Sequence, residues 1–316
     1  MLSRTAANLY WIARYMERAE MTARMLEVGS RNALLPNIGD GYRNEWSAIL
    51  ETCGATERFT EKFGEPVQHN IETFLFFDLG NPSSIASCIS IARENARVVR
   101  TALTSLVWDV LNSAFQELNQ MRRTERSKLP LSDLIDWTVK TCALVRGAIE
   151  STQLRNDGFY FTQLGYAVER ADNTARLLDV KYYVLLPGTS YIGSGLDTYQ
   201  WTTLLRALSA SRAFNWTYKG ELNAQKVAHF VILNQQSPRS LLSCARLASD
   251  HLDHLSRGYG TCSTSQTCAR SLVAELAEAG VQDIFDEGLH EFLTRFILEI
   301  GKLDMSITDN YLRGEF

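Results

Sequence analysis

The stretch Leu9-Tyr10-Trp11-Ile12-Ala13-Arg14-Tyr15-Met16-Glu17-Arg18-Ala19-Glu20-Met21-Thr22-Ala23-Arg24 decides the fold, because a second version of it recurs far downstream. Residues 10–28 set on residues 162–180 agree at eight of nineteen positions, too many for chance once the order of later matches is added. Glu17-Arg18-Ala19 and Thr22-Ala23-Arg24 answer Glu169-Arg170-Ala171 and Thr174-Ala175-Arg176, while Glu20 meets Asp172 and Glu27 meets Asp179. Further on, Trp46-Ser47-Ala48-Ile49-Leu50 answers Trp201-Thr202-Thr203-Leu204-Leu205, and Phe74-Leu75-Phe76-Phe77-Asp78 answers Phe230-Val231-Ile232-Leu233-Asn234. Pro82, Ser84, Ser87 and Cys88 then answer Pro238, Ser240, Ser243 and Cys244. Ordered recurrence of this kind is the signature of an internal duplication. It predicts two halves, 1–156 and 157–316, related by a pseudo-two-fold and packed as one fused helical unit, since no structureless linker separates them.

The hydrophobic pattern is helical throughout. Ile85-Ala86-Ile89-Ala92-Ala96-Val99-Leu103 and Leu134-Ile135-Thr138-Cys142-Val145-Ile149 keep helical spacing, and no window alternates for long. The six prolines stand at gaps between periodic stretches, Pro82 and Pro238 behind the N-cap candidates Asn81 and Ser237. The spacing predicts helices over 4–33, 42–63, 66–76, 82–119, 131–153, 157–186, 197–218, 223–233, 238–257, 268–280 and 283–312. Loops are expected at Pro36–Gly41, Arg122–Lys128, Pro187–Gly195 and Gly258–Gln266. The fold class is all-α.

Composition narrows the function classes. With 316 residues the chain buries a core without disulfide or metal staples. Thirty-two basic against 36 acidic residues leave −4, which argues against a nucleic-acid binder. No apolar run reaches membrane-span length, and the N-terminus has no signal-peptide core. The six cysteines lack metal or redox spacing. A reduced, cytoplasmic protein is expected, with no metal and no cofactor of its own.

The repeated helix is unusual physically. On a helical wheel Ile12, Tyr15, Met16, Ala19, Ala23 and Leu26 share one face, and the other mixes Arg14, Glu17, Arg18, Glu20, Arg24 and Glu27 with Met21, Met25 and Val28. A helix apolar around most of its circumference is buried, so its charges are expected inside and paired. Glu20–Arg24 and Asp172–Arg176 have i,i+4 spacing with the acid first, and Glu17 lies in line with Arg24 as Glu169 does with Arg176. Such a network can simply fix helix packing. Alternatively its surplus guanidiniums bind a carboxylate or phosphate, with Arg14, Arg18, Arg24, Arg93, Arg170 and Arg176 as candidates. A third reading makes Glu17 or Glu169 a general base, its pKa raised by apolar surroundings. Arg14 is expected to be dispensable for folding, because Tyr166 stands at its counterpart.

These residues resemble the alpha-E domain family, all-helical bacterial proteins named for a Glu-Arg motif that occurs twice. The resemblance extends to Arg93-Glu94-Asn95-Ala96-Arg97 with Trp108 and Asn112, to Lys181, to Trp201 with Leu204-Leu205-Arg206, and to Ser237-Pro238-Arg239-Ser240, covering residues 1–255. The family's second motif usually carries an Arg-Tyr pair, where this chain has Tyr166-Ala167. The resemblance implies a partnership with a circularly permuted ATP-grasp protein in an amide-bond-forming system that makes or modifies a peptide. In it the ATP-grasp protein forms an acyl phosphate and the helical protein binds an anionic small molecule or peptide.

Other candidates carry less. Gly188–Gly195 lacks the Lys-Ser/Thr of a phosphate-binding loop. His251 and His254 with Asp250 and Asp253 have metal-compatible spacing but no facing motif. Cys262 and Cys268 show no base beside them. Arg122–Lys128 reads as a solvated basic linker.

Overall fold

The computed structural model describes residues 1–34, 45–183, 193–260 and 262–313. The expected loop Pro36–Gly41 and most of Gly188–Gly195 lie outside them. Among the described residues there is no strand, and the helices are α1 (Ser3–Asn32), α2 (Glu45–Thr52), α3 (Thr56–Phe63), α4 (Gln68–Phe76), α5 (Ile85–Val98), α6 (Ser105–Arg123), α7 (Leu131–Thr152), α8 (Asp157–Tyr183), α9 (Gly195–Ala207), α10 (Ser211–Thr217), α11 (Ala224–Ala228), α12 (Leu241–Tyr259), α13 (Thr264–Glu278), α14 (Val281–Glu287) and α15 (Leu289–Ile307). None of them is long and apolar enough to cross a membrane.

Several expected helices are broken where the backbone turns. The 42–63 helix splits at Gly54, the 197–218 helix at Ser209 and the 283–312 helix at Gly288, all with positive φ. The 82–119 helix breaks where Leu103 and Thr104 become extended and the Thr104 hydroxyl caps α6 by accepting from Val107 N. The expected loop at 258–266 is shorter than its sequence suggested, because Ser263 and Gln266 form a capping box that starts α13 early.

The two motif helices, α1 and α8, pack directly against each other at the centre. α5 and α7 lie on α1, and α12 and α15 on α8. α2 crosses over to α8, and α9 crosses over to α1. Both central helices are therefore enclosed, and α1 buries Leu9, Met16, Met25 and Leu26 together with Arg14, Glu17, Glu20 and Arg24. This is why its apolar residues spread around the circumference.

The approach of α1 to α8 depends on Gly165. A Cβ there would run into the Tyr10 carbonyl oxygen and lie 3.1 Å from Ala13 Cβ. The obstacle is backbone, which cannot swing aside. Gly165→Ala is expected to force the central helices apart and lower stability by about 1–3 kcal/mol, read from urea unfolding. A variant as stable as the native chain would show that the contact is slack.

Candidate functional site

Ion pairs run between the motif helices in both directions. Glu17 of α1 accepts from Arg170 Nη2 of α8 at 2.9 Å. Glu169 of α8 accepts from Arg18 Nε of α1 at 2.7 Å and from its Nη2 at 3.1 Å. Each motif glutamate thus takes the motif arginine of the other helix. Both carboxylates are almost fully buried.

Around Glu17 the positive charge is in excess. Arg146 of α7 reaches Glu17 and Glu20 at 2.6 and 2.7 Å. Arg239, just before α12, reaches Glu17 at 2.7 Å and also donates to Glu20. Arg24 donates to Glu20 at 2.6 Å, to the Ala207 carbonyl and to the Ser209 hydroxyl. Four guanidiniums meet two carboxylates there, and Arg146, Arg170 and Arg239 keep edges in solvent that offset part of the excess.

Around Glu169 the charges balance. Arg14, 8% exposed, donates to Glu169, to Asp304 of α15 and to the Tyr10 hydroxyl. Asp172 takes Arg176 at 2.8 and 3.1 Å. Beside these pairs a cleft of about 400 Å³ opens between α1, α8 and the end of α2, lined on its polar side by Arg18, Ser83, Glu169, Asp172, Asn173 and Arg176. Arg176 is the most open of the motif arginines, its side chain 37% exposed. Asn173 is 7% exposed, and its Nδ2 has no partner among the described residues.

Several expectations are corrected. Neither Glu17 nor Glu169 is poised as a general base. Burial would raise the Glu17 carboxyl, yet Arg170, Arg239 and Arg146 outweigh it and hold it well below the usual carboxylate range. For Glu169, Arg14 and Arg18 likewise outweigh burial. Arg14 does not face a pocket free of carboxylates, because Glu169 and Asp304 both hold it. Arg93 belongs to another place, against the Trp108 and Phe115 rings of α6 and Asn112 Oδ1. Arg24 and Arg170 are engaged in the closed network, so Arg18 and Arg176 are the candidate arginines that line the cleft, beside Glu169. Arg24 does not pair with Glu17 nor Arg176 with Glu169, since Glu20 and Asp172 lie one turn nearer.

Sequence reasoning gave no site role to Arg146 or Asp304, nor to Tyr10 and Arg239, which it quoted only within the motif stretch and Ser237-Pro238-Arg239-Ser240. Arg146 had a faint signal, a charge set between Cys142 and Ile149 on the inward stripe of α7. His251 lies against the Phe159 and Tyr160 rings, and burial lowers it to about 4. Cys53, which lines the cleft, is raised to about 11 by burial. The Arg122–Lys128 segment is tied down by Arg126, which pairs with Glu72.

The network makes acid stability predictable in sign. Glu20, like Glu17 and Glu169, lies below its ordinary value, since Arg239, Arg146 and Arg24 outweigh burial and the neighbouring Glu17. A carboxyl lowered in the folded state stabilises fully above its unfolded value of about 4.3, and that contribution is lost as the pH falls through the folded values. Urea midpoints are expected to hold from neutral pH to about pH 5 and to drop below about pH 4. A flat acid limb would mean that the carboxylates are not held as described.

A family model described as a predicted alpha-helical domain with a conserved ER motif matches residues 1–312. No curated protein and no solved structure matches the chain.

Proposed function

Because the chain belongs to the Alpha-E family, we propose that it serves an amide-bond-forming system linked to a circularly permuted ATP-grasp protein, and that it binds an anionic substrate or intermediate in the cleft between α1 and α8. The observation that carries this is the convergence of Arg18, Arg176 and the unpartnered Asn173 amide on one concave surface at the motif. Guanidinium forks hold carboxylate or phosphate with charge-assisted bonds. A buried amide donor left without a partner favours a ligand that supplies an acceptor.

In such a system the partner moves the γ-phosphoryl group of ATP to a carboxylate and releases ADP. An amine then attacks the acyl phosphate, and inorganic phosphate leaves. The part assigned to this chain is to hold the anion, since its motif glutamates are tied up by arginines. The closed Glu17 face favours a second, purely structural role for that half of the motif, in which the ion pairs fix the crossing of α1 and α8.

Arg176→Ala tests the binding reading. Its side chain is partly exposed and pairs with a half-buried Asp172, so the variant is expected to fold. Loss of a charge-assisted contact should weaken substrate capture by about tenfold or more, read as product formation at limiting substrate with the ATP-grasp protein present. Undiminished product formation would remove Arg176 from the site.

A further inference from the structure

The two faces of the network correspond in local structure. After α2, Gly54 N donates to Glu51 O at 2.8 Å and Ala55 N to Leu50 O at 2.9 Å. After α9, Ser209 N donates to Arg206 O and Ala210 N to Leu205 O, both at 2.8 Å. Gly54 and Ser209 share φ values of 59° and 56°. Before α5, the Ser84 hydroxyl caps Ser87 N and Cys88 Sγ meets Pro82 O. Before α12, the Ser240 hydroxyl caps Ser243 N and Cys244 Sγ meets Pro238 O.

Among the positions that differ between the two faces, three line the cleft: Ser83, Gly54 and Asp172. Arg239 bridges Glu17 and Glu20, whereas its counterpart Ser83, which lines the cleft, is too short to bridge Glu169 and Asp172. Ser209 accepts from Arg24, whereas its counterpart Gly54 offers Arg176 no side chain. Glu20 is replaced by the shorter Asp172. The cleft is bounded by these substitutions.

We infer that the cleft is the open counterpart of the closed Glu17 face, and that its ligand brings the cationic nitrogen that Arg239 supplies on the other side. The inference rests on the anion-binding reading above and extends it. Among the described residues Asp172 is engaged by a single arginine, and it keeps lone pairs to accept an ammonium. Arg18 and Arg176 use Nε and Nη2 on carboxylates, and no partner is seen for Nη1 of either among the described residues. With Asn173 Nδ2 they leave donors for a carboxylate. Acceptors for an ammonium and donors for a carboxylate in one small cleft specify a zwitterion, and the chemical class is a free α-amino acid. In the proposed system it would be bound as a building block whose ammonium and carboxylate are both read.

Titration calorimetry on the full chain tests this, with the common L-α-amino acids as probes and then the N-acetyl and carboxamide forms of the tightest. The free amino acid is expected to bind, and masking either group should weaken binding about tenfold or more. Ser83→Arg installs the missing guanidinium and is expected to abolish binding without lowering the melting temperature. Asp172→Asn should weaken the free amino acid but spare the N-acetyl form, and it carries the test if Ser83→Arg does not fold. An N-acetyl form that binds as tightly as the free amino acid overturns the cationic half and leaves the anion site standing. A carboxamide that binds as tightly overturns the anion reading itself. A folded Ser83→Arg chain with native affinity overturns the placement, and no binding by any amino acid overturns the inference.

Discussion

A Glu17→Ala protein is expected to lose about 3–5 kcal/mol of stability, the cost of stranding a buried charge. The carboxylate removed is fully buried and accepts from Arg146, Arg170 and Arg239. Two of these arginines fall back on Glu20. Arg170 has no other carboxylate among the described residues, and its side chain is only 12% exposed, so water cannot fully replace the lost partner. Desolvation and repulsion from the remaining guanidiniums then act together on one side of the α1–α8 contact. The measurement is urea unfolding beside Arg97→Ala, an exposed pair on the outer face of α5 that should change by less than about 0.5 kcal/mol. The double variant Glu17→Leu with Arg170→Leu should lose less than the sum of its parts, because it removes both ends of the pair. A Glu17→Ala chain that unfolds with the Arg97→Ala control would mean that the network contributes nothing to packing.

The local rules read from the chain held where one helix decides the outcome. The Glu20–Arg24 and Asp172–Arg176 pairs follow from i,i+4 spacing alone, and both form. The burial of α1 was legible from apolar residues on every side of its wheel. Breaks were legible only in part. Gly54 is a residue that invites a left-handed turn, but Ser209 makes the same turn with a side chain that pattern reading places inside a helix. Contacts between elements were the least legible. Arg146, Arg239 and Asp304 arrive from three different elements, and their distances in sequence say nothing of which carboxylate each meets. The general-base expectation failed for that reason. A lone glutamate in an apolar bundle would indeed be raised, but the number of guanidiniums around it is a property of packing.

Arg14→Ala is expected to lose about 3–5 kcal/mol, although Tyr166 at the corresponding place in α8 suggested that an arginine was not needed. The two positions have become different. Tyr166 lies under the Arg146 guanidinium, 5.0 Å from it, so the Glu17 face receives its charge from α7. The Glu169 face has no such donor from α7, and Arg14 supplies the charge from within α1. It joins Glu169 to Asp304 and lies against the Tyr10 and Trp11 rings. Truncation leaves the buried Glu169 with Arg18 alone among the described residues and removes one of the two side-chain links from α1 to Asp304 of α15. Asp304 keeps the Tyr10 hydroxyl, which places the expected loss nearer the lower end. The loss should be steepest near neutral pH and shrink in acid, because protonating Glu169 removes the buried charge that Arg14 compensates. Unfolding of Arg14→Ala against the native chain at pH 7 and again below pH 4 measures both. A variant that matches the native chain at neutral pH would return Arg14 to the group of arginines free to serve the cleft.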